Sequence, residues 1–186
     1  MHYLDFNIRG FLPDPESGQP ILVLQDDGGR FLLPIWIGVP EAGAIAAVLE
    51  GQTLARPMTH DLLASVIRGF GGDVVRVDVR AIEDSTFLAD LWLQKADGET
   101  LCLDCRPSDA IALAVRTGAP IRVASAVLEA AQPLNPEDGG AGDPNELSAE
   151  AARGLHVVSA DDSEARARLA LALARLDPED FGKFKA

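Results

Sequence analysis

Apolar and polar residues alternate through LDFNIRGF (4–11), and PILVLQ (20–25) is a short apolar run beyond a loop of Pro, Ser and Gly. DDGG (26–29) is hairpin-turn chemistry and leads into RFLLPIWIGV (30–39), so the chain up to residue 39 reads as three strands. Glu41 then opens EAGAIAAVLEG (41–51), whose apolar content and closing Gly51 predict a short helix buried on most sides. A second helix is predicted from Thr59 to Phe70, where glycines at 69, 71 and 72 end it. Period-two alternation returns in VVRVDVR (74–80), TFLADLWL (86–93) and TLCLDC (100–105). The polar turns between them are too short for crossovers, which makes the three an antiparallel meander. A helix from Ser108 to Thr117, a strand PIRVA (120–124) and a helix from Ser125 to Ala131 complete the pattern.

The fold class predicted is α+β: one compact domain over residues 1–131, built from two related units of three strands plus a helix with a largely antiparallel sheet. An internal echo supports the pairing. ARPMTHDLLASVIRGFGGDVVRV (55–77) and LDCRPSDAIALAVRTGAPI (103–121) both run Arg-Pro, hydroxyl residue, Asp, apolar helix, Arg and Gly. From 132 to 162 the chain turns rich in Pro, Gly, Asp and Asn, a flexible acidic linker. Residues 163–186 begin with a capping Ser163 and place Leu169, Leu173 and Leu176 on one helical face, an amphipathic helix that needs a body or a second protomer to pack on.

Of the 186 residues 47% are hydrophobic, enough for one real core, and the formal charge is −13. Such a surface repels phosphate backbones, which excludes a passive nucleic-acid-binding module and requires divalent cations if polyphosphates are substrates. No stretch approaches the roughly 20 apolar residues of a membrane span. The N-terminus also has no basic region followed by an apolar run, so a soluble cytoplasmic protein is expected. Cys102 and Cys105 form a lone Cys-x-x-Cys, but three positions apart on a strand their sulfurs diverge, so two ordinary thiols are expected.

Candidate chemistry gathers where strands end and helices begin. Asp61 and Asp109 fall in first helical turns, with Thr59 and Ser108 as expected caps, and this capping role accounts for much of the pattern. The same positions also form a possible site. Glu41, Asp61, Asp104 and Asp109 are candidate ligands for Mg2+ or Mn2+, which needs only one or two carboxylates plus water. His60 is a candidate general base, with Asp61 and Asp109 as catalytic partners. Arg56, Arg106 and Ser108 are candidate phosphate contacts. No nucleophile elbow, phosphate-cradling glycine loop or dinucleotide fingerprint occurs, so metal-assisted hydrolysis is the enzymatic class left.

LPIWIG (33–38), EAGAIA (41–46), RPMTHDLL (56–63) and RPSDAIALAVRTGAPI (106–121) together resemble the bifunctional nuclease domain family across residues 1–131. The resemblance implies a compact, often self-associating α+β domain that degrades both DNA and RNA with nucleic acid as substrate. A homodimer or higher homo-oligomer is therefore expected. Its motifs fall on Glu41, Arg56, His60, Asp61, Arg106, Ser108 and Asp109, with Asp104 adjoining. The competing expectation is a non-catalytic self-associating binding or regulatory module in which the Arg-Pro turns are buried ion-pair joints.

Overall fold

The computed structural model describes residues 2–14 and 17–131; the expected linker and C-terminal helix lie outside the described residues. Strands β1 (Tyr3–Pro13), β2 (Pro20–Asp26) and β3 (Leu32–Trp36) are followed by helices α1 (Val39–Leu49) and α2 (Thr59–Gly69). Then come β4 (Asp73–Glu83), β5 (Thr86–Gln94), β6 (Thr100–Cys105), α3 (Pro107–Thr117), β7 (Ile121–Ala124) and α4 (Ser125–Ala131). The class is α+β, with both expected meanders present and antiparallel.

The two meanders are not separate units. They join into one seven-stranded sheet in the order β3-β2-β1-β7-β4-β5-β6. The four residues of β7 make the join, antiparallel to β1 from Tyr3↔Ala124 to Phe6↔Ile121 and parallel to β4 from Val77↔Ile121 to Val79↔Val123. The echo also needs correcting. It is α1 that follows the third strand of its meander directly, as α3 follows β6, so α3's topological counterpart is α1, whereas the first Arg-Pro precedes the additional helix α2.

Alternation along the strands explains the layers. Val77, Val79, Phe87, Ala89, Ile121 and Val123 are buried on the face against which α3 packs. Ala110, Ile111, Ala112, Leu113 and Ala114 of α3 are buried on successive positions, because α1 and α2 flank the helix above the sheet. Four of the first eight residues of α3 are small, which lets three helices approach one another closely. Gly118 ends α3 at φ 72° and its N–H bonds to the Ala114 carbonyl, a conformation that favours glycine. The α1 helix is less enclosed than its composition suggested: Ala44, Ile45 and Ala47 are buried, while Val39 and Leu49 at its ends are exposed.

The other face of β7, β4 and β5 is polar. Asp78 is buried there and held by Arg122 through Nε at 2.7 Å and NH2 at 2.9 Å, and by Arg76 at 3.1 Å. Arg76 lies over Trp92 and Arg122 over Tyr3, so the guanidiniums are stacked as well as paired.

Phe87 is among the largest fully enclosed side chains. Phe87→Ala is expected to cost about 3–5 kcal/mol in urea unfolding, whereas Leu62→Ala on the exposed side of α2 changes stability by about 0.5 kcal/mol or less. Equal losses would contradict this core.

Candidate functional site

Three helices begin in the same neighbourhood, and each carries a carboxylate at its third helical position: Glu41 in α1, Asp61 in α2 and Asp109 in α3. The expected caps, Thr59 and Ser108, instead lie one and two residues inside their helices. Backbone geometry gives the reason. Arg106 precedes Pro107, which forces it extended at φ −69° and ψ 141°, so Arg106 is the N-cap of α3. In α2 the N-cap is Met58, whose N–H donates to Asp61 Oδ2 at 2.8 Å, closing the turn from the third position rather than from the cap.

Arg106 ties two of these starts together. Its NH1 reaches Glu41 Oε1 at 3.0 Å, and its Nε and NH2 reach Asp109 at 2.7 and 3.2 Å. The third start joins through His60, whose Nε2 lies 3.2 Å from Asp109 Oδ1. The chain of contacts therefore runs from Glu41 on α1 through Arg106 and Asp109 on α3 to His60 on α2. Burial works to raise the Asp109 pKa, but the hydrogen bonds to Arg106 and His60 and the positive charge of Arg106 outweigh it and hold the carboxyl below its ordinary value.

A second guanidinium sits deeper. Arg116, near the end of α3, bonds to Asp61 Oδ1 at 2.6 Å, to the Ala44 carbonyl of α1 at 3.0 Å and to the Ala112 carbonyl of its own helix at 2.8 Å. Only 5% of its side-chain surface is exposed, against 52% for Arg106. The Asp61 carboxyl is lowered chiefly by the Met58 N–H, with burial opposing and Arg116 adding to the lowering.

The other candidates fall elsewhere. Asp104 is exposed and bonds to Arg80 NH2 at 2.9 Å; it pairs in register with Asp90, on the face away from the helices. Ser108 is 2% exposed and is not offered to solvent. Arg56 is exposed, makes no ion pair among the described residues, and lines with Leu54, Pro57, Asp61 and Arg116 a cleft of about 240 Å3. Cys102 pairs with Trp92 and Cys105 with Ala89, on opposite faces, so the thiols diverge as expected. Burial pushes the Cys105 thiol up to about 11. Among the described residues no three His, Cys, Asp or Glu side chains are gathered to hold a metal ion, and no helix is long and apolar enough to cross a membrane.

The site residue that sequence reasoning missed is Arg116. Its signal was slight: a lone cation closing an otherwise apolar helix, which reads as a partner for the helix C-terminus.

The bifunctional nuclease domain matches residues 22–135, from β2 past the end of α4, and so includes every residue of this convergence. The chain belongs to the bifunctional nuclease domain family. An uncharacterized protein of Mycobacterium tuberculosis is 37% identical over 134 residues, 72% of this chain and 79% of the relative. Bifunctional nuclease 2 of Oryza sativa subsp. japonica is 34% identical over 113 residues, and bifunctional nuclease 1 of Arabidopsis thaliana 32% over 116. These matches cover 59% and 61% of this chain but only 35% and 36% of the plant proteins, so the bifunctional nuclease domain here spans about a third of those relatives.

Because the folded Asp61 has its pKa below the ordinary 3.8, its contribution to stability is complete above that value and is lost as pH falls through the folded pKa. Asp61→Asn is expected to lower the thermal midpoint at neutral pH, and its gap from the parent should close as the pH drops below 3.8. A gap independent of pH would show that the carboxylate charge carries no stability.

Proposed function

We propose that the convergence of α1, α2 and α3 is a phosphodiester-cleaving site acting on DNA and RNA with little sequence preference. Family membership and the names of the plant relatives support the class of reaction. The observation that carries it is the line Arg106–Asp109–His60, with separations of 2.7 and 3.2 Å. A carboxylate bound to one ring nitrogen fixes the imidazole's orientation and tautomer. With Nε2–H donating to Asp109, the lone pair of a neutral His60 lies on Nδ1, which takes the proton of an attacking water. The water oxygen bonds to phosphorus as the bond to the leaving oxygen breaks. Arg106, half-exposed at the mouth, and Arg56, exposed beside the adjoining cleft, bind the non-bridging oxygens.

Glu41 and Asp109 share the Arg106 guanidinium, so their oxygens already face one cation, and one or two carboxylates with waters and phosphate oxygens suit Mg2+ or Mn2+. These two residues would hold such an ion, which when bound supplies neutralisation of the phosphate charge against a chain of net charge −13. Asp61 and Asp104 are engaged by Arg116 and Arg80, outside that pair.

One observation favours a second reading, a non-catalytic self-associating module: each of the four carboxylates has a guanidinium partner. Plasmid DNA and RNA incubated with the purified protein, with and without Mg2+ or Mn2+, separate the two. His60→Gln and Asp109→Asn are each expected to slow cleavage about 10²–10⁴-fold with the fold intact. Cleavage unchanged in both variants would remove the site, and binding without cleavage under every condition would leave the module.

A further inference from the structure

The two edges of the sheet are built differently. At one edge β3 carries Pro34 in its centre, where a strand loses a backbone donor, and four of its five residues are buried. At the other edge β6 has neither Pro, Gly nor Lys, pairs with β5 from Ala89↔Cys105 to Gln94↔Thr100 without a register shift, and is exposed at every residue but the last. Leu101 and Leu103 on its helix side are 41% and 40% exposed. Among the described residues its outer backbone groups meet no strand. Sheet edges are ordinarily protected by bulges, prolines or lysines, so a straight apolar edge is a template for pairing.

We infer that β6 pairs antiparallel with β6 of a second copy of this chain, about a two-fold axis at Cys102, so that one sheet runs through both copies. Charge restricts the choice of surface. A chain of net charge −13 repels its own copy over most of its surface, yet the only charge on β6 is Asp104, already bonded to Arg80 at 2.9 Å. The strand is also complementary to itself. With the axis at Cys102, Leu101 meets the partner's Leu103 on the helix side, while Cys102 meets the partner's Cys102 on the other. Thr100 meets the partner's Asp104, where a hydroxyl donates to the carboxylate instead of two carboxylates facing each other. Each contact is made twice by symmetry. Because Arg106 directly follows β6, the join sets the two candidate sites on either side of the axis.

The full chain carrying Cys105→Ser keeps Cys102 as its only thiol. Diamide takes two electrons and two protons from a pair of thiols, joining them as a disulfide. Opposed residues of an antiparallel pair lie about 4.5–5.5 Å apart at Cα, within the range of about 4.4–6.8 Å that a disulfide spans. Most of the chain is expected as a Cys102-linked dimer on non-reducing gels, with none formed by Cys102→Ser. In sedimentation, Leu103→Lys of the otherwise unaltered chain is expected to weaken the dimer at least tenfold, with an unchanged circular dichroism spectrum. A monomer at tens of micromolar, or a dimer indifferent to Leu103→Lys that forms no Cys102 disulfide, overturns the inference. So does a monomer whose Cys102 resists a maleimide, since another segment of the chain would then cover the edge.

Discussion

One guanidinium holds the helical layer together. Arg116 is withdrawn from water at the end of α3, and its donors go to a carboxylate on α2, a carbonyl on α1 and a carbonyl of its own helix. Few groups other than a planar fork with five donors can address three helices at once, and an isolated charge at that depth would be costly without them. The Asp61 carboxylate is fixed at the same time by the Met58 N–H, so the start of α2 is oriented by the ion pair rather than by a capping hydroxyl. The His60–Asp109 contact follows from this joint, because the joint fixes the start of α2, where His60 directly precedes Asp61.

The second guanidinium has a different character. Arg106 makes only slightly longer bonds, but about half of its side chain faces water, and it bridges Glu41 and Asp109 at the surface. A pair in that setting is worth little, on the order of 1 kcal/mol or less, so a phosphate can compete for the guanidinium. Exposure thus divides the two arginines, Arg116 serving as architecture and Arg106 as an exchangeable contact. The same division addresses the acidity of the chain: the carboxylates nearest the mouth are each paired with a cation, so the local field is far milder than the formal charge suggests.

The elements were largely legible in the sequence because their signals are local. Alternation in VVRVDVR and TFLADLWL, short polar turns and terminal glycines locate β5, β6 and α3 to within a residue, while β4 runs three residues past Arg80 to Glu83. The joining of the two meanders was not legible, since β7 has four residues and its partners β1 and β4 are remote in sequence, with nothing local to name them. At the site, Glu41, His60, Arg106 and Asp109 were identified and do meet, because helix starts after strands are brought together by the layer geometry. Asp104 was grouped with them by proximity in sequence, although strand parity already placed it opposite Cys105, on the face that Asp90 and Arg80 occupy. Arg116 escaped because its partner Asp61 is 55 residues away.

The proposal that matters most is that Asp109 accepts from the Nε2–H of His60 and so leaves Nδ1 free to act as the base. With three histidines in the chain, long-range 1H–15N correlation spectra of the protein labelled with 15N-histidine can resolve this ring directly. The account predicts the Nε2–H tautomer for the uncharged His60 ring in the parent protein, and its loss or mixing in Asp109→Asn. An Nδ1–H pattern, or a His60 ring unmoved by Asp109→Asn, would contradict it.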